Sequence, residues 1–179
     1  DTGVSTQIFR NLNLQPTDIN GDGALEVPKP AQLLSDSAEE PYWKIYWHSY
    51  EIDGTDQLQA ITYHNLTDNW YLIIPEAWDG HFTVRQNNAS TTVHSTTFYS
   101  VRSRLADAEL LTIYTLTGTD REAQAAKGGR TILRRQVKPD KVYAVTYGDA
   151  YSGWRYAVDA SVIADNFKVI VNRWSMGEN

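Results

Sequence analysis

The sequence predicts an α+β domain, a largely antiparallel sheet of about seven strands with one short helix and a C-terminal amphipathic helix packed on it. Three observations lead there. Between residues 42 and 99, apolar and aromatic residues alternate with polar ones in short runs, the period of strands with one face in a core. The runs are separated by Asp53-Gly54 and Asn87-Asn88, and connections this short join antiparallel strands because a parallel crossover needs a longer link. Near the C terminus Ile163, Phe167, Ile170, Val171 and Trp174 recur at helical spacing behind Asp159, which is suited to cap a helix N-terminus.

Residues 1–17 are polar around Ile8, Phe9, Leu12 and Leu14, and one strand is expected there. The next stretch is Asp18-Ile19-Asn20-Gly21-Asp22-Gly23-Ala24-Leu25-Glu26. Oxygen-bearing side chains fall at every second position around a glycine turn, as a loop needs if it is to wrap calcium with hard oxygen ligands. Asp18, Asn20 and Asp22 take the first, third and fifth ligand positions, the Ala24 carbonyl the seventh, and Glu26 the ninth, directly or through water. Leu25 and Val27 are expected to anchor the loop in a core. The same residues also favour a turn that holds no metal. An EF-hand needs a bidentate glutamate at position twelve, but Lys29 stands there between Pro28 and Pro30, and those prolines oppose an exiting helix.

The loop resembles the Asp-x-Asn-x-Asp-Gly-x-x-Glu segment of FG-GAP-type repeats, which implies calcium held between strands of a surface protein. It occurs once, whereas a propeller would repeat it at a regular period. Residues 28–41, with three prolines and an Asp/Ser/Glu stretch, read as an irregular connection. The expected organisation is therefore an N-terminal segment 1–41 and a single α+β domain 42–179, the whole forming one structural unit.

From Tyr42 to Tyr50, Trp43, Ile45 and Trp47 share one face and Tyr42, Lys44, Tyr46 and His48 the other. The chain returns through Leu58–His64. After Asn69, Trp70, Leu72 and Ile74 oppose Tyr71 and Ile73 up to a stop at Pro75, and strands near His81–Gln86 and Thr91–Tyr99 follow. Leu110–Leu116 is a further strand. Thr119-x-x-Glu122 has the spacing of a capping box opening a short helix that ends at Gly128-Gly129, and Arg130–Gln136 and Val142–Tyr147 complete the strands. The run Trp70-Tyr71-Leu72-Ile73-Ile74-Pro75-Glu76-Ala77-Trp78 resembles the strand, proline and tryptophan entry of PsbP-like domains, which implies a meander with a closing helix and no particular activity. The combination with the calcium loop is similar to surface lipoproteins of Gram-positive bacteria, which implies location more than chemistry.

Net charge is −6 and no Lys/Arg cluster is present, so nucleic acid is not an expected partner. No apolar run approaches the roughly twenty residues of a membrane-spanning helix. The absence of cysteine excludes disulfides and thiol chemistry within the chain. The start at Asp1 and a loop suited to millimolar calcium lead to an expected extracytoplasmic location, secreted or cell-surface anchored.

Catalytic signatures are sparse. No Gly-x-Ser-x-Gly elbow surrounds Ser152, and His48, His64, His81 and His94 lack a zinc spacing. Glu76 and Asp79 beside Trp78 form the one pair suited to a glycoside hydrolase. The sequons at Asn65 and Asn88 are read as chance matches. Six tryptophans and eleven tyrosines offer rings that stack on sugars or anchor an interface. Trp43, Trp47, Trp70 and Trp174 are assigned to the core, and Tyr151 and Trp154 are candidate ligand contacts. The leading expectation is a calcium-stabilised, non-enzymatic scaffold or interaction domain that meets a protein or glycan at the cell surface. A carbohydrate-binding module using Tyr151 and Trp154 is the alternative, and a hydrolase using Glu76 and Asp79 the third reading.

Overall fold

The computed structural model describes residues 14–34 and 42–170. In chain order the strands are β1 (Val27–Gln32), β2 (Trp43–Tyr50), β3 (Asp56–Asn65), β4 (Trp70–Ile73), β5 (Phe82–Asn87), β6 (Val93–Arg102), β7 (Leu105–Leu116), β8 (Thr131–Val137), β9 (Asp140–Tyr147) and β10 (Phe167–Val169). They form two antiparallel sheets of five, ordered β1-β2-β3-β4-β10 and β5-β6-β7-β9-β8. Helix among the described residues is confined to α1 (Arg121–Ala125), α2 (Ala160–Asn166) and a 3-10 turn at Glu76–Trp78. The expected α+β architecture, one sheet under a long terminal helix, is thus corrected to a mostly β chain. The described residues fall in two compact units, one of 14–32, 43–76 and 161–170, the other of 33–34, 42 and 77–160.

The error at the C terminus has a local cause. Ile163 is fully buried on α2, but the helix stops at Asn166, whose side-chain amide donates to the Ile73 carbonyl at 2.8 Å. Phe167, Lys168 and Val169 then pair with Leu72, Tyr71 and Trp70 of β4. A strand there satisfies the open edge of β4, and Phe167 still reaches the core, its ring 5.6 Å from that of Trp70. The spacing of Ile163 and Phe167 fits a helix, yet the edge hydrogen bonds are available only to an extended chain. Val171 and Trp174 lie outside the described residues.

Where an irregular connection is expected, Val27–Gln32 forms β1 and pairs with His48–Trp43. Pro28 and Pro30 have the same parity along the strand, so both fit positions whose missing N–H would point away from β2. This is an edge strand, the place in a sheet that tolerates proline. In the same sheet Trp70, Leu72 and Ile74 are buried as their alternation predicts. Lys44 is also buried, on the face opposite Ile45 and Trp47, with its ammonium 5.0 Å from the Tyr46 ring centre.

In the second unit Trp78 is fully buried. Its ring is surrounded by Phe82, Phe98, Tyr151 and Trp154 at centroid distances of 5.1–6.4 Å, and its Nε1 donates to the Tyr156 carbonyl at 2.8 Å. Leu116, Ala125, Val142 and Ala144 make a second cluster in which α1 meets β7 and β9. The Thr119–Glu122 capping box does not form. Asp120 occupies the cap position without a side-chain hydrogen bond to the helix amides, its carboxylate accepting from the Thr119 hydroxyl instead, while Glu122 pairs with the Arg135 guanidinium at 3.0 Å. A planar charged fork is the stronger partner for a carboxylate than one backbone amide. The helix stops at Ala125 with Ala126 as its C-cap, before Gly128 and Gly129, which turn the chain with positive φ.

Gly148 supplies a testable packing constraint. A Cβ at this position would stand 2.4 Å from the Glu109 carbonyl oxygen, and the Gly148 amide donates to the Leu110 carbonyl at 2.8 Å. Since backbone must move to admit even a methyl group, Gly148→Ala is expected to destabilise the chain by about 1–3 kcal/mol. Urea unfolding of the variant checks this, and an unchanged midpoint refutes the close approach.

Candidate metal centre

The loop Asp18–Glu26 is closed at its base by a backbone pair between Thr17 and Glu26, at 3.1 and 3.0 Å. Asp18 organises the turn: one carboxylate oxygen accepts from the Gly21 and Asp22 amides at 2.7 and 3.0 Å, and the other from Gly23 at 3.0 Å. Gly21 and Gly23 have φ of 82° and 91°, a region glycine enters without steric penalty. Asn20 Oδ1 accepts from the Asp22 amide at 3.0 Å, and its Nδ2 donates to Asp22 Oδ2 at 2.8 Å. Asp22 Oδ1 accepts from Ala24 at 2.8 Å. The Ala24 amide, and next the Asn20 side chain, hold the Asp22 carboxyl below the ordinary carboxylate range, so Asp22 is anionic at neutral pH.

Glu26 differs from the other ligand candidates. Asn20, Asp22 and Ala24 are exposed and Asp18 is half-buried, whereas Glu26 is 0% exposed. Its Oε2 accepts from the Ile19 amide at 2.9 Å, and its Oε1 is buried with no hydrogen-bond partner. A carboxylate removed from water and half satisfied is costly unless a cation or further donors complete it. The residues fit a hard cation in two respects: every side chain offered is an oxygen donor, and one donor is already desolvated and incomplete. Against a preformed cage, no group of three or more His, Cys, Asp and Glu converges as a metal set among the described residues. The amides of the loop itself occupy Asp18 and much of Asp22 and Asn20.

The hydrophobic anchor is also not the expected one. Leu25 and Val27 are 65% and 37% exposed, at positions that alternate with the buried Glu26 and Pro28. Ile19 anchors the loop instead, in a buried cluster with Ile45 and Trp47 against which Leu14, Ala60 and Tyr71 pack. One apolar residue between two ligand positions was a visible signal, but its direction depends on the turn.

Tyr151 is 7% exposed, and its hydroxyl donates to the Val158 carbonyl at 2.8 Å and accepts from the Val158 amide at 3.2 Å. Trp154 is half-buried, edge-on to Trp78 at 5.1 Å and to Tyr156 at 5.3 Å. These rings pack with one another. Glu76 is exposed at the start of the 3-10 turn and Asp79 half-buried just after it. Asn65 is 1% exposed, and its side chain bonds both the amide and the carboxylate of Asp68 at 3.0 and 3.2 Å, so this sequon is a turn device.

Of the histidines, His81 stacks on Tyr156 at 4.2 Å and His48 Nδ1 lies 3.2 Å from Asp56 Oδ2. His64 stacks on Tyr71 at 4.9 Å, and its Nε2 is 3.0 Å from Thr62 Oγ1. Trp47 Nε1 donates to the same Thr62 oxygen at 2.7 Å. Burial pushes the His64 pKa down to about 4.

No helix among the described residues is long and apolar enough to cross a membrane. No family model, curated protein or solved structure matches the chain.

Proposed function

We propose that this chain is a calcium-stabilised scaffold or interaction domain of an extracytoplasmic bacterial surface protein, with Asp18, Asn20, Asp22, the Ala24 carbonyl and Glu26 as ligands. The observation that carries the reading is the buried, half-satisfied Glu26 carboxylate behind a loop whose remaining side chains are oxygen donors. A water molecule would supply a hydrogen bond to Oε1 but would not neutralise the charge; a divalent cation coordinates the oxygen and neutralises the charge. The role is structural because Ile19, between two of the ligand positions, is packed on the first sheet. An extracytoplasmic setting suits such a loop, since short sites without the bidentate position-twelve glutamate work best where calcium is near millimolar.

The test is thermal unfolding in EDTA and in millimolar calcium. With free calcium a hundredfold above its dissociation constant, mass action stabilises the folded chain by about 2.7 kcal/mol. For a chain of this size that is a rise of roughly 5–10 °C in Tm. The rise is expected to vanish in Asp22→Ala. No rise in a protein shown by metal analysis to be calcium-free after EDTA would sink the calcium reading.

A further inference from the structure

Glu26 connects the loop to the core, and from that connection we infer that calcium works as a latch, holding the Leu14–Ile19 segment down on the first sheet. The inference rests on the calcium reading above and adds a consequence for the chain on either side of the loop. The Glu26 side chain does two things at once. Its Oε2 takes the Ile19 amide at 2.9 Å, which orients Ile19 onto Ile45 and Trp47. Its Oε1 has no partner at 0% exposure. The same carboxylate that positions the hydrophobic anchor therefore carries an uncompensated charge into the interior.

Without a cation, the closed arrangement is penalised by that charge, and the penalty is relieved if Glu26 swings out to water. Doing so releases the Ile19 amide and with it the alignment of Ile19 on the sheet. With calcium, the charge is neutralised where it stands and the closed arrangement is retained. Ion binding and Ile19 docking are thus linked, and linkage is reciprocal: calcium strengthens docking by the same factor by which docking strengthens calcium affinity. The base of the loop, the Thr17–Glu26 backbone pair, shares the same fate because Glu26 is both a member of that pair and the ligand.

Two substitutions separate the latch from a site that merely binds. Glu26→Gln keeps a carbonyl oxygen for the Ile19 amide and removes the charge. In EDTA its Ile19 amide is expected to exchange with solvent about tenfold more slowly than in the unmodified chain, even though a calcium ligand has been damaged. Ile19→Ala leaves every ligand side chain in place and removes the anchor, and its calcium affinity is expected to fall roughly 5-fold or more, within the usual span of coupling between linked sites.

The experiment measures calcium affinity by calorimetry and Ile19 amide exchange by NMR, on the full chain and both variants, with and without calcium. The latch is supported if calcium slows Ile19 exchange at least tenfold, Glu26→Gln is protected in EDTA, and Ile19→Ala binds more weakly. Calcium binding with unchanged Ile19 exchange, or full affinity in Ile19→Ala, overturns the latch and leaves the metal site standing. An absence of calcium uptake by the unmodified chain overturns both. If Glu26→Gln does not fold, the affinity of Ile19→Ala decides alone.

Discussion

Trp78→Ala is expected to lower stability by about 3–5 kcal/mol, the range for emptying a fully buried aromatic position. The ring is 0% exposed and touches Phe82, Phe98, Tyr151 and Trp154 in one cluster, so its loss removes contacts from four aromatic neighbours together. It also leaves the Tyr156 carbonyl without its donor, which adds the cost of an unsatisfied acceptor. Trp78→Phe keeps much of the packing and loses the N–H, so it is expected to fall between the two. Urea unfolding followed by circular dichroism measures both. A loss below about 1 kcal/mol in Trp78→Ala would mean that the neighbours collapse into the space, and the ring would not be the organiser of the second unit.

Acid is expected to weaken the first unit through His64. The folded pKa, pushed down to about 4 by burial, lies below the ordinary histidine value of about 6.5. Above pH 6.5 the ring is neutral in both folded and unfolded chains and no penalty arises. Between about 6.5 and 4 the unfolded chain takes up a proton that the folded chain refuses, so stability falls as pH falls, by up to about 3 kcal/mol once pH has passed the folded value. Burial is the cause of the refusal: a charged ring removed from water is penalised, and Nε2 sits 3.0 Å from the Thr62 hydroxyl oxygen, which also takes the Trp47 Nε1 proton. Carboxylates titrate in the same window, so the measurement is the difference in unfolding free energy between the unmodified chain and His64→Phe from pH 7 to 4. That difference should vary with pH; a constant difference would place the His64 pKa near its ordinary value.

Much of the strand content was legible because the period-two signal is local. Trp70, Leu72 and Ile74 alternate against Tyr71 and Ile73, and the first three are buried. The turns at Gly54 and Gly128-Gly129 were legible for the same reason, since positive φ selects glycine whatever surrounds it. β1 was hidden by its prolines, which suppress the strand signal although an edge tolerates them. The terminal helix was overextended because Phe167 satisfies both a helical stripe and a strand pairing, and only the unpaired edge of β4 decides between them. Tyr151 and Trp154 stood out as aromatics in a loop, but loop position does not reveal that the Tyr151 hydroxyl closes on Val158 and the Trp154 ring meets Trp78.

The Asp18–Glu26 loop divides along the same line. By itself the sequence determined which atoms can meet a hard cation, since the oxygen donors at alternate positions and the glycines between them are properties of nine consecutive residues. It also determined the antiparallel character of the strands, through short turns that permit no other connection. Only the tertiary structure decided that there are two sheets, that Ile19 rather than Leu25 enters the core, and that Glu26 is buried with one oxygen unpaired. The physical reason is that alternation and turn chemistry act over a few residues, whereas burial and edge pairing depend on which distant strands arrive to cover a face or to accept a hydrogen bond.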